Sequence, residues 1–135
     1  MSAGIVIGNN LPPPARSPGA HAGAGPCPIL PVWRSLLEAR WQQRLVRLTE
    51  LSLAYHDAAG RSGDAGSPDV RDRARQLRRL LREATAARRA LCDTEEALAR
   101  ISAGCFGQCE QCSVPITTAE LLTEPETRYC GGCRR

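Results

Sequence analysis

Apolar residues recur at helical spacing through two long stretches of the chain. In the first, Leu37, Trp41, Leu45, Leu48, Leu51 and Tyr55 follow one another at steps of three and four, which lines them along one face of a helix. Helix-compatible sequence begins near Pro31 and Val32 and is expected to stop around Asp57 to Gly60. There Asp57-Ala-Ala-Gly60-Arg-Ser-Gly63-Asp-Ala-Gly66 reads as a loop. The second stretch opens on a start signal: Ser67 suits an N-cap, Pro68 the first helical position, and Asp69 the first turn, where the macrodipole favours negative charge. From Leu77 the repeat is heptad-like. Leu77, Ala84, Leu91 and Leu98 fall on one position and Leu80, Ala87, Thr94 and Ile101 on the other. Gly104 then supplies a helix stop.

Two helices joined by a short loop, each with one apolar seam, predict an antiparallel coiled-coil hairpin. At the α-helical rise the second helix would run on the order of 50 Å and the first about 35 Å. Trp33 and Trp41 share the period of Leu37 and are read as core at the hairpin base. A thin seam of Leu and Ala stabilises little alone, so whatever follows Gly104 is expected to anchor the base. The hairpin accordingly spans 31–103, with its tip at about 57–74, and a finger fills 104–135. Residues 1–30 are rich in Gly, Pro and Ala and carry one Arg, a composition that buries too little to offset its ordering entropy; a disordered tail is expected there.

Four cysteines carry the chemistry. Cys109-x-x-Cys112 and Cys130-x-x-Cys133 are separated by seventeen residues. Each pair offers two thiolates from one tight turn, and two such knuckles close a tetrahedron of soft ligands around one ion, which reads as a single structural Zn2+. Rubredoxin-type iron uses similar knuckles, and spacing alone does not separate the two metals. A disulfide framework would suit a secreted domain, but no charged n-region with an apolar h-region opens this chain. Cys27, Cys92 and Cys105 are read as spectators, and His21 and His56 stand apart from any ligand cluster.

Composition narrows the function classes. Aromatic residues make up 4% of 135 residues, too few for a large globular core. All eighteen basic residues are Arg, and the net charge is +4, a mild excess compatible with nucleic acid but not diagnostic of it. Eight of these Arg lie between Arg71 and Arg89, where a solvated helix face is the simplest account. No apolar run is long enough for a bilayer, so no membrane partner and a cytoplasmic location are expected. Catalysis is not expected either: four protein ligands leave no open metal position, and no paired His and acid, nucleophile motif or phosphate-binding Gly loop is present.

The last forty residues bring a sharper likeness. Leu98, Ile101, Gly104-Cys-Phe106-Gly107, Cys109-x-x-Cys112, Pro115-Ile116, Leu121, Pro125 and Cys130-x-x-Cys133 resemble the DksA/TraR zinc-finger family of bacterial transcription regulators. The hairpin from about residue 33 resembles the family in architecture more than in sequence. The resemblance implies a coiled-coil finger on a zinc base, entering the secondary channel of bacterial RNA polymerase so that its tip approaches the catalytic centre. The family's tip pattern, D-x-x-D-x-A, is similar to Asp69-Val-Arg-Asp72-Arg-Ala74 here, which implies Asp69, Asp72 and Ala74 as the polymerase-facing tip. The bland reading of the same acids is dipole compensation in a first helical turn.

The chain departs from the best-known members at positions that hold guanosine tetraphosphate. Glu124 precedes the spacer Pro125, and Asp93, Glu95 and Glu96 occupy the helical region where a basic residue is usual. Acids facing a polyphosphate repel it, so response to that nucleotide is not expected to follow the family pattern, although Arg134 offers one positive contact. The sequence stops two residues past Cys133, so the C-terminal helix of longer members is not expected. Two other functions are compatible with parts of the chain. A zinc-ribbon nucleic-acid binder would use the Arg-rich helix on phosphates, but Glu110, Glu120, Glu124 and Glu126 make the finger acidic and direct nucleic-acid binding unfavoured. An adaptor would act through the coiled coil alone.

Overall fold

The computed structural model describes residues 29–61 and 68–134. Helix α1 runs Leu30–Gly60, α2 runs Pro68–Ala103, and a short α3 runs Thr118–Thr123. The first two pack along their length as the expected hairpin. Ser67, Cys27 and His21 lie outside the described residues, as does all of the N-terminal tail up to residue 28.

Helix α1 begins with Pro31 in its first turn and Ile29 at its N-cap position. Its 31 residues make it about 46 Å long, longer than the sequence pattern suggested. The extra length lies mostly at the distal end, where Asp57 to Gly60 complete a last helical turn. Ala58 is buried there at 2% exposure, and Arg61 pairs with Asp57 at 2.6 Å.

On α2 every residue of the heptad from Leu77 to Ile101 points inward, buried or half-buried, as the spacing requires. Its end is a Schellman arrangement: the Gly104 N–H donates to Ile101 O at 3.1 Å and the Cys105 N–H to Arg100 O at 3.0 Å. Gly104 takes φ +76° to make this turn, a conformation that costs a Cβ-bearing residue. The chain is thereby reversed onto the base of the hairpin. The core sits at that base, where Trp33 and Leu37 of α1 meet Ala97 and Ile101 of α2, and Cys109, Ile116 and Leu121 of the finger close over them. Phe106 packs on Trp33 with ring centroids 6.0 Å apart. Trp41 lies one turn outside this cluster, half-buried, and its indole N–H donates to Glu95 at 3.1 Å.

Candidate metal centre

The first knuckle is folded by its own backbone. The Cys109 N–H donates to Val114 O and the Ser113 N–H to Cys109 O, both at 2.9 Å, while the Ile116 N–H closes onto Gly107 O at 2.7 Å. Gly107 at φ +80° and Ser113 at φ 61° provide the left-handed corners this tight reversal needs. The loop buries Cys109 at 2% exposure and leaves Cys112 at the surface.

The second knuckle follows α3, an element absent from the sequence reading. Thr117 and Glu120 form a capping box: the Glu120 N–H donates to Thr117 Oγ1 at 3.2 Å, and the Thr117 N–H donates to Glu120 Oε2 at 2.9 Å. The other Glu120 oxygen accepts the Gly131 N–H at 2.6 Å, which ties the helix start to the turn between Cys130 and Cys133. A Cβ at Gly131 would come within 2.8 Å of that oxygen, so a larger residue there would have to shift the end of the Glu120 side chain. The Thr117 hydroxyl also donates to Glu120 Oε2 at 2.8 Å, and this bond first, then the Thr117 and Gly131 N–H groups, holds the Glu120 carboxyl below the usual carboxylate range. The knuckle closes through the Cys133 N–H on Cys130 O at 2.9 Å.

The ligand atoms of Cys109, Cys112, Cys130 and Cys133 all lie within 4.8 Å of one another. Cys112 and Cys130 sulfurs are 3.7 Å apart. A tetrahedral ion with metal–sulfur bonds of about 2.3 Å sets its sulfurs about 3.8 Å apart, so the spacing fits such an ion. Charge is shared unevenly among the four thiols. Backbone N–H groups, that of Cys130 foremost, hold the Cys109 thiol down to about 6, while contact with the Cys112 and Cys130 thiols pushes Cys133 up to about 12. Four sulfurs this close cannot all ionise unless a cation sits among them. Cys105 is half-buried outside the cluster, with its thiol 3.7 Å from Arg100 O, and Cys92 is exposed on α2.

The finger is bound to the rod by a set of ion pairs that the sequence reading did not find. Glu126, 6% exposed, meets Arg44 at 2.9 Å and Arg40 at 3.3 Å, both from α1, and Thr94 of α2 at 3.5 Å. Thr94 occupies a heptad seam position and is fully buried, so the polar seam residue is where this cluster enters the coiled coil. Arg100, 9% exposed, donates to Glu126 O at 2.9 Å and Thr127 O at 3.4 Å and pairs with Glu110 at 3.7 Å. Arg128 pairs with Glu96. Each acid once counted as surface charge on the finger thus has a partner within the molecule.

Asp93 and Glu124, two of the acids read as departures from the family pattern, line one groove between α2 and the finger together with Arg134. Arg134, itself exposed, lies 3.2 Å from Glu124 and donates to the Thr127 hydroxyl at 2.6 Å. At the other end of the rod Asp69 and Asp72 are exposed in the opening turns of α2, with Asp72 3.4 Å from Arg75, and Ala74 is half-buried. Arg73 reaches across to the Arg61 carbonyl, joining the end of α1 to α2.

A helical hairpin seated on a four-thiol finger is the class of molecule these elements define. No protein-family model matches the chain. No curated protein matches it either. Among solved structures, the transcription factor DksA2 from Pseudomonas aeruginosa is similar to it, with a TM-score of 0.69 and 27% identity over 75% of this chain and 76% of that one. The resemblance to the DksA/TraR zinc-finger family is therefore shown by the fold, and the four-cysteine cluster fits the finger of that family. No helix among the described residues is long and apolar enough to cross a membrane.

Proposed function

We propose that this chain is a non-enzymatic transcription regulator of the DksA kind, acting on bacterial RNA polymerase from the secondary channel. The observation that carries this reading is the similarity to the transcription factor DksA2 over three quarters of both chains, together with a four-thiol cluster at the base. Zn2+ held by Cys109, Cys112, Cys130 and Cys133 serves structure: with four protein ligands it supplies no site for water or substrate. Asp69, Asp72 and Ala74 form the working tip. Exposed carboxylates on a rigid rod change the field around a site of metal ions and basic side chains without themselves reacting. Arg134 is engaged by Glu124, and Asp93 and Glu124 bring negative charge to the same groove, so regulation is independent of guanosine tetraphosphate in this reading.

The test is retention of zinc-loaded protein on bacterial core RNA polymerase, competed by a known secondary-channel factor. Retention abolished by the competitor supports the reading; retention indifferent to it, or none, removes it. Asp69→Asn with Asp72→Asn is then expected to abolish regulation in a promoter-complex lifetime assay while changing retention less than threefold. A double variant that regulates normally sinks the tip assignment.

A further inference from the structure

We infer that Glu126 is a positioning residue for the metal, acting from outside the thiol cluster: its clamp on the rod holds the second cysteine pair in place before the ion arrives. This rests on the reading that the four thiols hold Zn2+.

The two pairs are seated by different forces. Cys109 of the first pair is part of the apolar core, in a cluster with Trp33, Leu37, Ala97, Ile101, Ile116 and Leu121. Cys130 and Cys133 are only half-buried at its edge, and two glycines separate them. Besides the Glu120 carboxylate on the Gly131 N–H, what fixes the second pair is the segment leading to it. Pro125, Glu126 and Thr127 are all buried, yet only the proline is apolar. The Glu126 side chain is held by Arg40 and Arg44 from α1, and its carbonyl by Arg100 from α2. One residue thus engages both helices of the rod, four positions before Cys130. The chain runs on through Arg128, whose carbonyl accepts the Glu110 N–H at 2.9 Å, so the approach to the second knuckle is also hung on the first.

A carboxylate is required at the centre of this arrangement. Arg40 and Arg44 converge on one side chain, and a neutral residue there would leave two guanidinium groups facing each other without a counter-charge. They would separate, and the segment 124–129 would lose its hold on α1. The second thiol pair would then sample many positions relative to the first. Metal binding would have to offset that freedom, which weakens it even though no ligand has changed.

The experiment measures Zn2+ transfer from the full chain to a chromophoric chelator for wild type, Glu126→Ala, Glu126→Gln and Leu77→Ala. Leu77 is a half-buried seam residue of α2 about 25 Å along the helix from Thr94, so its variant weakens the rod without touching the clamp. Both Glu126 variants are expected to bind Zn2+ about tenfold to a hundredfold more weakly, the range for losing a supporting partner. Leu77→Ala is expected to bind within twofold of wild type. In metal-free protein, alkylation of Cys130 and Cys133 is expected to accelerate in Glu126→Gln while Cys109 stays protected. Unchanged zinc affinity in the Glu126 variants, or an equal loss in Leu77→Ala, overturns the inference and leaves the metal site standing. Wild type that takes up no Zn2+ overturns both together. Should Glu126→Ala not fold, Glu126→Gln and Arg40→Ala decide the matter.

Discussion

At its basal end α2 buries Leu91, Thr94, Ala97, Arg100 and Ile101, whereas its inward positions from Val70 to Ala90 remain half-exposed. The contrast is not one of side-chain type, because Leu77 and Leu80 are as apolar as Leu91. It follows from the number of layers. Two helices can shield only the strip where they touch; at the base the finger adds a third layer and seals what the helices leave open. The distal part is slender by the same logic, about 20 Å across for two helices side by side. A slender rod on a well-packed base suits a protein whose tip must reach into a narrow passage, as the proposed function requires.

The strongest way to break this contrast is to remove the layer that creates it. Cys109→Ser deletes a ligand and a buried member of the core at once. Structural zinc supplies on the order of 10 kcal/mol of folding free energy in small modules, so the variant is expected to lose its metal and the order of the finger. Elemental analysis should read no zinc, and limited proteolysis should cut between residues 104 and 134. Full metal content in Cys109→Ser would end the tetrathiolate assignment.

A gentler comparison truncates one leucine in each region. Leu37 is completely buried among Trp33, Ala97 and Ile101, so Leu37→Ala is expected to cost about 3 kcal/mol through lost transfer energy and a cavity. Leu80 sits at an equivalent seam position but half-exposed, and Leu80→Ala is expected to cost about 1 kcal/mol. Denaturant unfolding of the zinc-loaded proteins measures both. Equal costs would mean that the rod is packed as tightly at its middle as at its base.

Periodicity made the two helices, their seams and the chain reversal at Gly104 legible, because each is a local pattern in which residues three or four apart decide one another's surroundings. The paired spacing of the cysteines made the thiol cluster legible for the same reason. The clamp was not. Arg40 and Glu126 are 86 positions apart, and nothing near either one distinguishes it from a solvated charge. Attention to apolar positions alone also passed over Arg40 and Arg44, which share the inward side of α1 with Trp41 and Leu45. Thr94 was a hint, a polar residue at a seam position that needs a partner in the folded state. Helix α3 is a different case: Thr117-x-x-Glu120 before Leu121 is a local capping signature, overlooked because the six-residue helix is too short to show a period.

Glu120 provides the finest probe of how the base is assembled. Its carboxyl is held low by the Thr117 hydroxyl, then by the N–H groups of Thr117 and Gly131. A group depressed in the folded state adds stability above its unfolded value, about 4.3 for Glu, and that contribution fades as pH falls through the native value. Acidification is therefore expected to move the amide resonances of Thr117 and Gly131 together, with a common midpoint below about 4.3. Glu120→Gln should abolish the shared titration at both positions. If the Gly131 amide fails to follow Thr117, α3 is not tied to the second knuckle, and the base would owe its stillness to the metal and to Glu126 alone.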